Sequence, residues 1–259
     1  METSTKIQQI AFSDYDGTLV RDGQIDADTL TAIDSWRAKG NAFGIATGRG
    51  FAAIQPELER LHIPVDYLVC TNGSAVYRAD GALLQCTEIP EEDFQTLCDS
   101  KFLRDYKDGI LFFTRHHAYC YRNAHQLPPT LFEKLNSFDE VKELHHVMQV
   151  GTHYASQQEA RDAFTALDAA YPQVFTGNVN RGYLDMNAWG MSKDIGIMQI
   201  VEFLHIDVKK VHVIGDDCND LPMIQRFHGC CVDSAAEDIQ KASINVFPTV
   251  GKMLRHYQE

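Results

Sequence analysis

Short apolar runs alternate with amphipathic stretches in the first part of this chain, and the alternation predicts the architecture. Ile7, Ile10, Ala11 and Phe12 predict a buried strand over Lys6 to Ser13, after which Gly17 lets the backbone turn sharply. A helix is predicted to open at Asp26 as N-cap, to bury Leu30, Ile33 and Trp36, and to stop before Gly40. Phe43, Ile45 and Ala46 mark a second strand that runs into Thr47-Gly48-Arg49-Gly50. Ile54, Leu58 and Leu61 mark the next helix, and Tyr67 to Cys70 a third strand. Strands alternating with helices imply parallel pairing with helices on the sheet faces, the doubly wound α/β arrangement. In such sheets, sites form at the carboxyl ends of the strands.

Turn signals then show where the pattern breaks. Asp22-Gly23 between Val20 and Ile25 predicts a small hairpin beside the first strand. Asn72-Gly73 and Asp80-Gly81 predict turns at which parallel pairing ends. Asn72-Gly73-Ser74 also matches a glycosylation sequon, but with no signal segment at the start the turn is the better reading. From Leu83 to Tyr183 the order becomes helix, hairpin, helix, strand, helix. Its hairpin runs from Ile110 to Tyr121, Pro128-Pro129 punctuates the middle, and a capping box at Ser156 to Glu159 opens a helix reaching Ala170. Alternation resumes with a helix over Lys193 to His205 and a strand over Val211 to Ile214. The expectation is a core of residues 1–82 and 184–259, interrupted by an α+β insert over residues 83–183.

Composition narrows the class. A net charge of -13 with no cluster of Lys or Arg argues against nucleic acid or an anionic membrane as partner, and requires local positive charge for any anionic substrate. No apolar run is long enough to span a bilayer, so a cytoplasmic protein is expected. The seven cysteines include no C-x-x-C pair, which points to buried thiols rather than disulfides or a thiolate zinc site.

Four clusters distant in sequence fall at strand ends or at the start of the following helix: Asp14-x-Asp16-x-Thr18, Thr47-Gly48-Arg49, Lys193, and Gly215-Asp216-Asp217-Cys218-Asn219-Asp220. Singly, each reads as a turn, a cap or a surface charge. Together on one edge they read as a site. Two carboxylates about 4 Å apart repel by about 4 kcal/mol at an effective dielectric of roughly 20, so Asp14, Asp16 and Asp216 ionised together require a cation. Oxygen-only ligands select a hard ion, and Mg²⁺ fits. Neither His116-His117 nor His145-His146 makes a zinc-type spacing with a nearby acid. Metal, hydroxyl, backbone N–H and Lys193 together suit phosphate, with Asp14 as a nucleophile that forms an aspartyl-phosphate.

In this set of motifs the chain resembles the haloacid dehalogenase (HAD) superfamily of phosphatases, and within it the Cof-like type IIB members. The residues that carry the likeness are Asp14-Tyr15-Asp16-Gly17-Thr18, Ala46-Thr47-Gly48-Arg49, Met191-Ser192-Lys193-Asp194 and Gly215 to Asp220, over about residues 6–82 and 184–259. The resemblance implies a HAD-like core with an inserted α+β cap that sets substrate specificity. It implies that Asp14 is nucleophile and metal ligand. Asp16 would offer its backbone carbonyl to the metal and its carboxyl as general acid and then base, starting protonated. Tyr15, Thr47, Gly48 and Asn219 would contact the phosphoryl group, and Lys193 would supply positive charge. Asp216 would complete the Mg²⁺ site, with Thr18 and Asp220 in support. Two departures from the family pattern are Val232-Asp233-Ser234-Ala235, where many relatives carry Gly-Asn-Ala, and Asp194, where Gly is common.

The function implied is Mg²⁺-dependent hydrolysis of a small phosphomonoester, such as a sugar phosphate. A phosphomutase or a non-catalytic phosphometabolite-binding protein would use the same clusters. Arg115, His116, His117, Arg122, Arg181, Tyr183 and Trp189, in or just after the insert, are the specificity candidates expected to face the core.

Overall fold

In a computed structural model, which describes residues 7–115, 117–122 and 131–258, the chain builds two sheets. The first stretch gives β1 (Ile10–Ser13), α1 (Ala27–Ala38), β2 (Ala42–Ala46), α2 (Phe51–Leu61), β3 (Tyr67–Cys70), β4 (Ala75–Arg78) and β5 (Leu83–Cys86). β1 begins at Ile10 rather than at Lys6, and Lys6 lies outside the described residues. Asp26 caps α1, its side chain accepting from the Thr29 N–H, and Ile33 and Trp36 are buried while Leu30 is half-buried.

The predicted hairpin at Asp22-Gly23 is a tight turn with positive φ at both residues, closed by a single Arg21–Gln24 bridge. At Asn72-Gly73 the chain reverses, so that β3 and β4 pair antiparallel. Asp80-Gly81 then returns β5 beside β4.

The middle of the chain gives α3 (Glu91–Asp99), α4 (Lys101–Asp105), β6 (Ile110–Thr114), β7 (Ala118–Tyr121), β8 (Glu133–Leu135), α5 (Phe138–Lys142), β9 (Val147–His153), α6 (Gln157–Ala170), β10 (Phe175–Asn180) and β11 (Tyr183–Ala188). Pro128-Pro129 and His116 lie outside the described residues. The last stretch gives α7 (Lys193–Leu204), β12 (Val211–Gly215), α8 (Leu221–Phe227), β13 (Cys230–Val232), α9 (Glu237–Ala242), β14 (Val246–Phe247) and α10 (Val250–Gln258).

Among the described residues the core sheet runs β14-β13-β12-β1-β2-β3-β4-β5, parallel from β14 to β3. Strand β1 is central, its Ile10 and Phe12 buried against one layer with Ile197 and Val201 of α7, its Ala11 against the other with Ile33 of α1. The second sheet runs β10-β11-β9-β6-β7-β8 and packs its own core of Phe94, Phe112, Val150, Leu184 and Met186 beneath its helices.

These memberships correct the expected boundaries at 82/83 and 183/184. β5 is the edge of the core sheet because the Asp80-Gly81 turn folds it onto β4. β11 belongs to the second sheet because the Arg181-Gly182 turn folds it onto β10. All seven cysteines are free, and no helix among the described residues is long and apolar enough to cross a membrane.

Candidate active site

The carboxyl ends of β1, β2 and β12 and the first turn of α7 meet beneath the second sheet. Asp14 continues the line of β1, its N–H donating to Ile214 O at 2.9 Å. Gly17 then takes φ +96°, which a side chain would strain. An added Cβ there would lie 2.5 Å from Asp216 Oδ2, so this turn and the β12 end approach as closely as they do because residue 17 is glycine.

Lys193 is wholly buried, and its Nζ lies 2.6 Å from Asp14 Oδ1 and 2.6 Å from Asp220 Oδ1. The other oxygen of Asp220 accepts from the backbone N–H groups of Asp216 and Asp217, at 2.9 and 3.1 Å. Both oxygens of Asp220 are thus committed. Thr18 donates to Asp216 Oδ1 at 2.6 Å, fixing that carboxylate's orientation. Asp14, Asp216 and Asp220 each bring an oxygen within 4.8 Å of the others. Burial raises Asp14 and Asp216, opposed by Lys193 for the first and by the Thr18 hydrogen bond for the second. Burial would lower Lys193, but Asp14 and Asp220 more than reverse this and keep it protonated. Three carboxylates therefore face one buried ammonium, with the exposed Arg181 guanidinium 3.9 Å from Asp216, and remain short of positive charge. Asp14 Oδ2 is buried with no hydrogen-bond partner among the described residues. An oxygen-only donor set short of positive charge and with an orphaned buried oxygen fits a hard divalent cation.

Asp16 stands differently from the expectation that it begins protonated. Both of its oxygens accept from Arg49, Nε and Nη2 each at 2.7 Å, the geometry of an ionised carboxylate in a guanidinium fork. A two-residue spacing shows that the acid is near Asp14, but its partner lies 33 residues on. The Arg49 guanidinium also stacks over the Tyr15 ring, 5.1 Å from its centre, while the Thr47 hydroxyl accepts the Arg49 N–H at 3.1 Å.

A layer of amides joins the two sheets above these acids. Asn72 donates to Asp185 Oδ2 at 3.0 Å and to Gln149 at 3.2 Å, and accepts from Asn219 at 3.2 Å. Gln149 donates to Gly48 O at 3.0 Å, and Asn187 reaches Thr71 O and Met148 O at 3.0 Å and Ser74 Oγ at 2.9 Å. Burial pushes Asp185 up to about 7, against the Asn72 hydrogen bond and the Lys193 charge. Asn72, Gln149, Asp185 and Asn187 are absent from the expected site residues, Asn72 being expected only in a turn. The signal that could have found three of them is the period of two: in β11, Tyr183, Asp185 and Asn187 alternate with buried Leu184, Met186 and Ala188, and Gln149 shares their face across β9.

Among the specificity candidates expected to face the core, Arg181 and Tyr183 line a cavity of about 380 Å³ that has Asp14, Thr47 and Gly48 in its wall. Arg181 also sends Nη2 to within 3.4 Å of Asp16 O and 3.9 Å of Asp216 Oδ2. The other described ones face elsewhere. Arg115 pairs with Glu88 and borders a separate small cavity with His117, Arg122 donates to Arg104 O, and Trp189 is 54% exposed. A hairpin tip with charges near the middle of the insert carries no sign in the sequence of which way it points. The two family departures have local partners: Asp194 pairs with Arg226 at 2.6 Å, and Asp233 lies 3.5 Å from Arg21.

A family model described as haloacid dehalogenase-like hydrolase matches residues 11–252. Among curated proteins the chain is 25% identical over 226 residues to YkrA of Bacillus subtilis, covering 84% of this chain and 82% of that protein. It is 23% identical over 251 residues to the 5-amino-6-(5-phospho-D-ribitylamino)uracil phosphatase YcsE of the same organism, with 94% and 93% covered. Among solved structures it superposes on a HAD subclass IIB sugar phosphatase with a TM-score of 0.80 at 23% identity, covering 97% of this chain and 99% of that one. A haloacid dehalogenase-like hydrolase from B. subtilis gives 0.82 at 16% identity, with 96% and 99% covered.

Proposed function

The chain belongs to the haloacid dehalogenase-like hydrolase family and is a phosphatase, and from that premise we propose that it hydrolyses a small phosphomonoester, with Mg²⁺, through an aspartyl-phosphate on Asp14. The observation that carries the reading is Asp14 itself. One oxygen is held by Lys193 and the other is buried with no hydrogen-bond partner among the described residues, so the carboxylate is fixed in place with a free electron pair in the cavity wall.

Asp14, Asp216 and the backbone carbonyl of Asp16 would hold the ion, Asp220 being excluded because both its oxygens are already bonded. When bound, the ion supplies the positive charge that lets a phosphate dianion approach a carboxylate. Asp14 attacks phosphorus and the bond to the alcohol oxygen breaks. Asp16, after taking up a proton from solvent, gives it to that oxygen and later takes one from the water that cleaves the aspartyl-phosphate. To do so Asp16 has to leave the Arg49 fork, and the substrate phosphate is an anion able to take its place there. Lys193 stays beside Asp14 and offsets the charge that develops during transfer. Tyr15, Thr47, Gly48 and Asn219 are proposed as phosphate contacts, with Thr18 and Asp220 holding Asp216 and Lys193 in position.

Phosphate release from p-nitrophenyl phosphate, measured with Mg²⁺ and with excess chelator, tests the reading. Activity is expected only with Mg²⁺, and Asp14→Asn is expected to bring it to background. Full activity in chelator would remove the metal from the reading, and full activity in Asp14→Asn would remove the nucleophile.

A further inference from the structure

The cavity that reaches Asp14 has two unlike sides. Leu111, Phe113, Leu131 and Phe132 make one, with the Phe113 and Phe132 rings edge to face at 5.9 Å. Asp185 and Asn180 belong to the other. The registers fix this arrangement: Leu111 of β6, Gly151 of β9 and Asp185 of β11 form one cross-strand row on the face turned toward the core. Gly151 leaves the middle of the row open. A Cβ there would sit 3.1 Å from Asp185 Oδ1 and 3.5 Å from Leu111 Cβ.

Asp185 Oδ2 accepts from Asn72, while among the described residues nothing donates to Oδ1. A partly desolvated carboxylate oxygen beside an apolar wall needs a donor, and among the described residues the neighbouring cations are engaged elsewhere. Lys193 is bonded to Asp14 and Asp220, Arg49 is forked onto Asp16, and the Arg181 guanidinium lies at the Asp16 carbonyl. Glu57, also in the wall, is already paired with Arg60 at 2.6 Å, so the negative charge left to meet a substrate there is that of Asp185.

Resting on the phosphatase reading, we infer that Asp185 selects the alcohol portion of the substrate: its free oxygen receives an N–H or O–H donor from a neutral or cationic alcohol whose opposite, apolar or planar face lies on Leu111, Phe113, Leu131 and Phe132. A second anionic group on the substrate meets Asp185, whose charge no cation among the described residues pairs, and is rejected. The substrate class is thus a monophosphate of a donor-bearing alcohol with one apolar face, and excludes bisphosphates and phosphorylated acids.

Three benzyl phosphates that differ only in the para substituent test this, because their leaving groups are nearly equal in reactivity: the unsubstituted ester, the para-aminomethyl ester and the para-carboxy ester. At about pH 8, where Asp185 is mostly ionised, kcat/KM is expected to fall in the order aminomethyl, unsubstituted, carboxy, with about tenfold or more between the ends. Asp185→Asn, which keeps the shape and the Asn72 contact, is expected to bring that ratio to within about threefold whatever happens to the absolute rates. Gly151→Ala keeps the charge but crowds Oδ1, and is expected to lower the aminomethyl ester relative to the unsubstituted one.

A carboxy ester cleaved as well as the aminomethyl ester, or a ratio unchanged in Asp185→Asn, overturns the inference. So does cleavage of p-nitrophenyl phosphate with none of the three benzyl esters accepted. Silence toward all four in Mg²⁺ overturns the phosphatase reading on which the inference rests.

Discussion

Lys193 and Asp14 meet with no solvent between them, Nζ 2.6 Å from Oδ1, both side chains almost wholly buried. Lys193→Met removes the one cation shared by Asp14 and Asp220 and leaves two buried carboxylates without a counter-charge. A loss of about 3–5 kcal/mol is expected, read as a lower urea midpoint at unchanged slope. Asp220→Asn in the same background should return part of it, since one of the stranded charges is then gone. A Lys193→Met protein as stable as the parent would mean that the carboxylates carry protons in the fold.

Thr18 acts on the proposed metal site through a single hydrogen bond to Asp216, 2.6 Å long. Thr18→Val keeps the volume and removes that bond, so Mg²⁺ affinity measured by titration calorimetry is expected to weaken by about 10-fold or more with the fold intact. Equal affinity would show that Asp216 needs no help in holding its orientation.

Gly17→Ala adds one methyl group at φ +96°, 2.5 Å from Asp216 Oδ2. The backbone cost is about 1–3 kcal/mol. Activity should fall by more than that cost alone explains, because the β1 turn can relieve the clash only by shifting against Asp216. Thermal melting and phosphate release on the same preparation separate the two effects.

His212 gives a pH dependence of stability that does not involve the site. It stacks on Tyr257 at 4.3 Å and bonds Gln9 at 2.7 Å, and burial pushes it down to about 4. In the unfolded chain its value is about 6.5, so between about pH 6.5 and 4 the unfolded state takes up a proton that the folded state refuses. Its effect is absent above about 6.5, lowers stability as pH falls, and levels off below about 4. His212→Gln is expected to flatten this part of the melting-temperature profile between about pH 7 and 5, and an identical slope in both proteins would refute it.

Much of this was legible in the sequence, and unevenly so. Strand β1, the Asp26 cap, and the reversal at Asn72-Gly73 follow from local rules that act within a few residues, and local rules are what a sequence displays. The cluster of Asp14, Lys193, Asp216 and Asp220 could be expected because four motifs stand at comparable ends of a repeating pattern. The Arg49–Asp16 fork could not, since two neighbouring acids and a distant arginine fit many pairings until the strands fix their distance. The placement of β5 and β11 was misread because a turn signal says that the chain reverses, not which sheet receives it. Asp185 and Asn187 went unnoticed although β11 alternates strictly, for an Asn or Asp on a strand looks like any other solvent-facing polar residue. Only the sheet laid over the core makes that face an interior one.

The 179 residues between Asp14 and Lys193 also set an order of assembly on the ribosome. At about 5–20 residues per second, roughly nine to thirty-six seconds separate the emergence of the acid from that of the base that balances it. During that time β1 also lacks β12, the strand that will flank it on one side. The second sheet waits for neither, because all six of its strands lie within residues 110–188. The nascent chain therefore holds every strand of its inserted sheet before the core has the β12 strand and the Lys193 that complete the surroundings of Asp14.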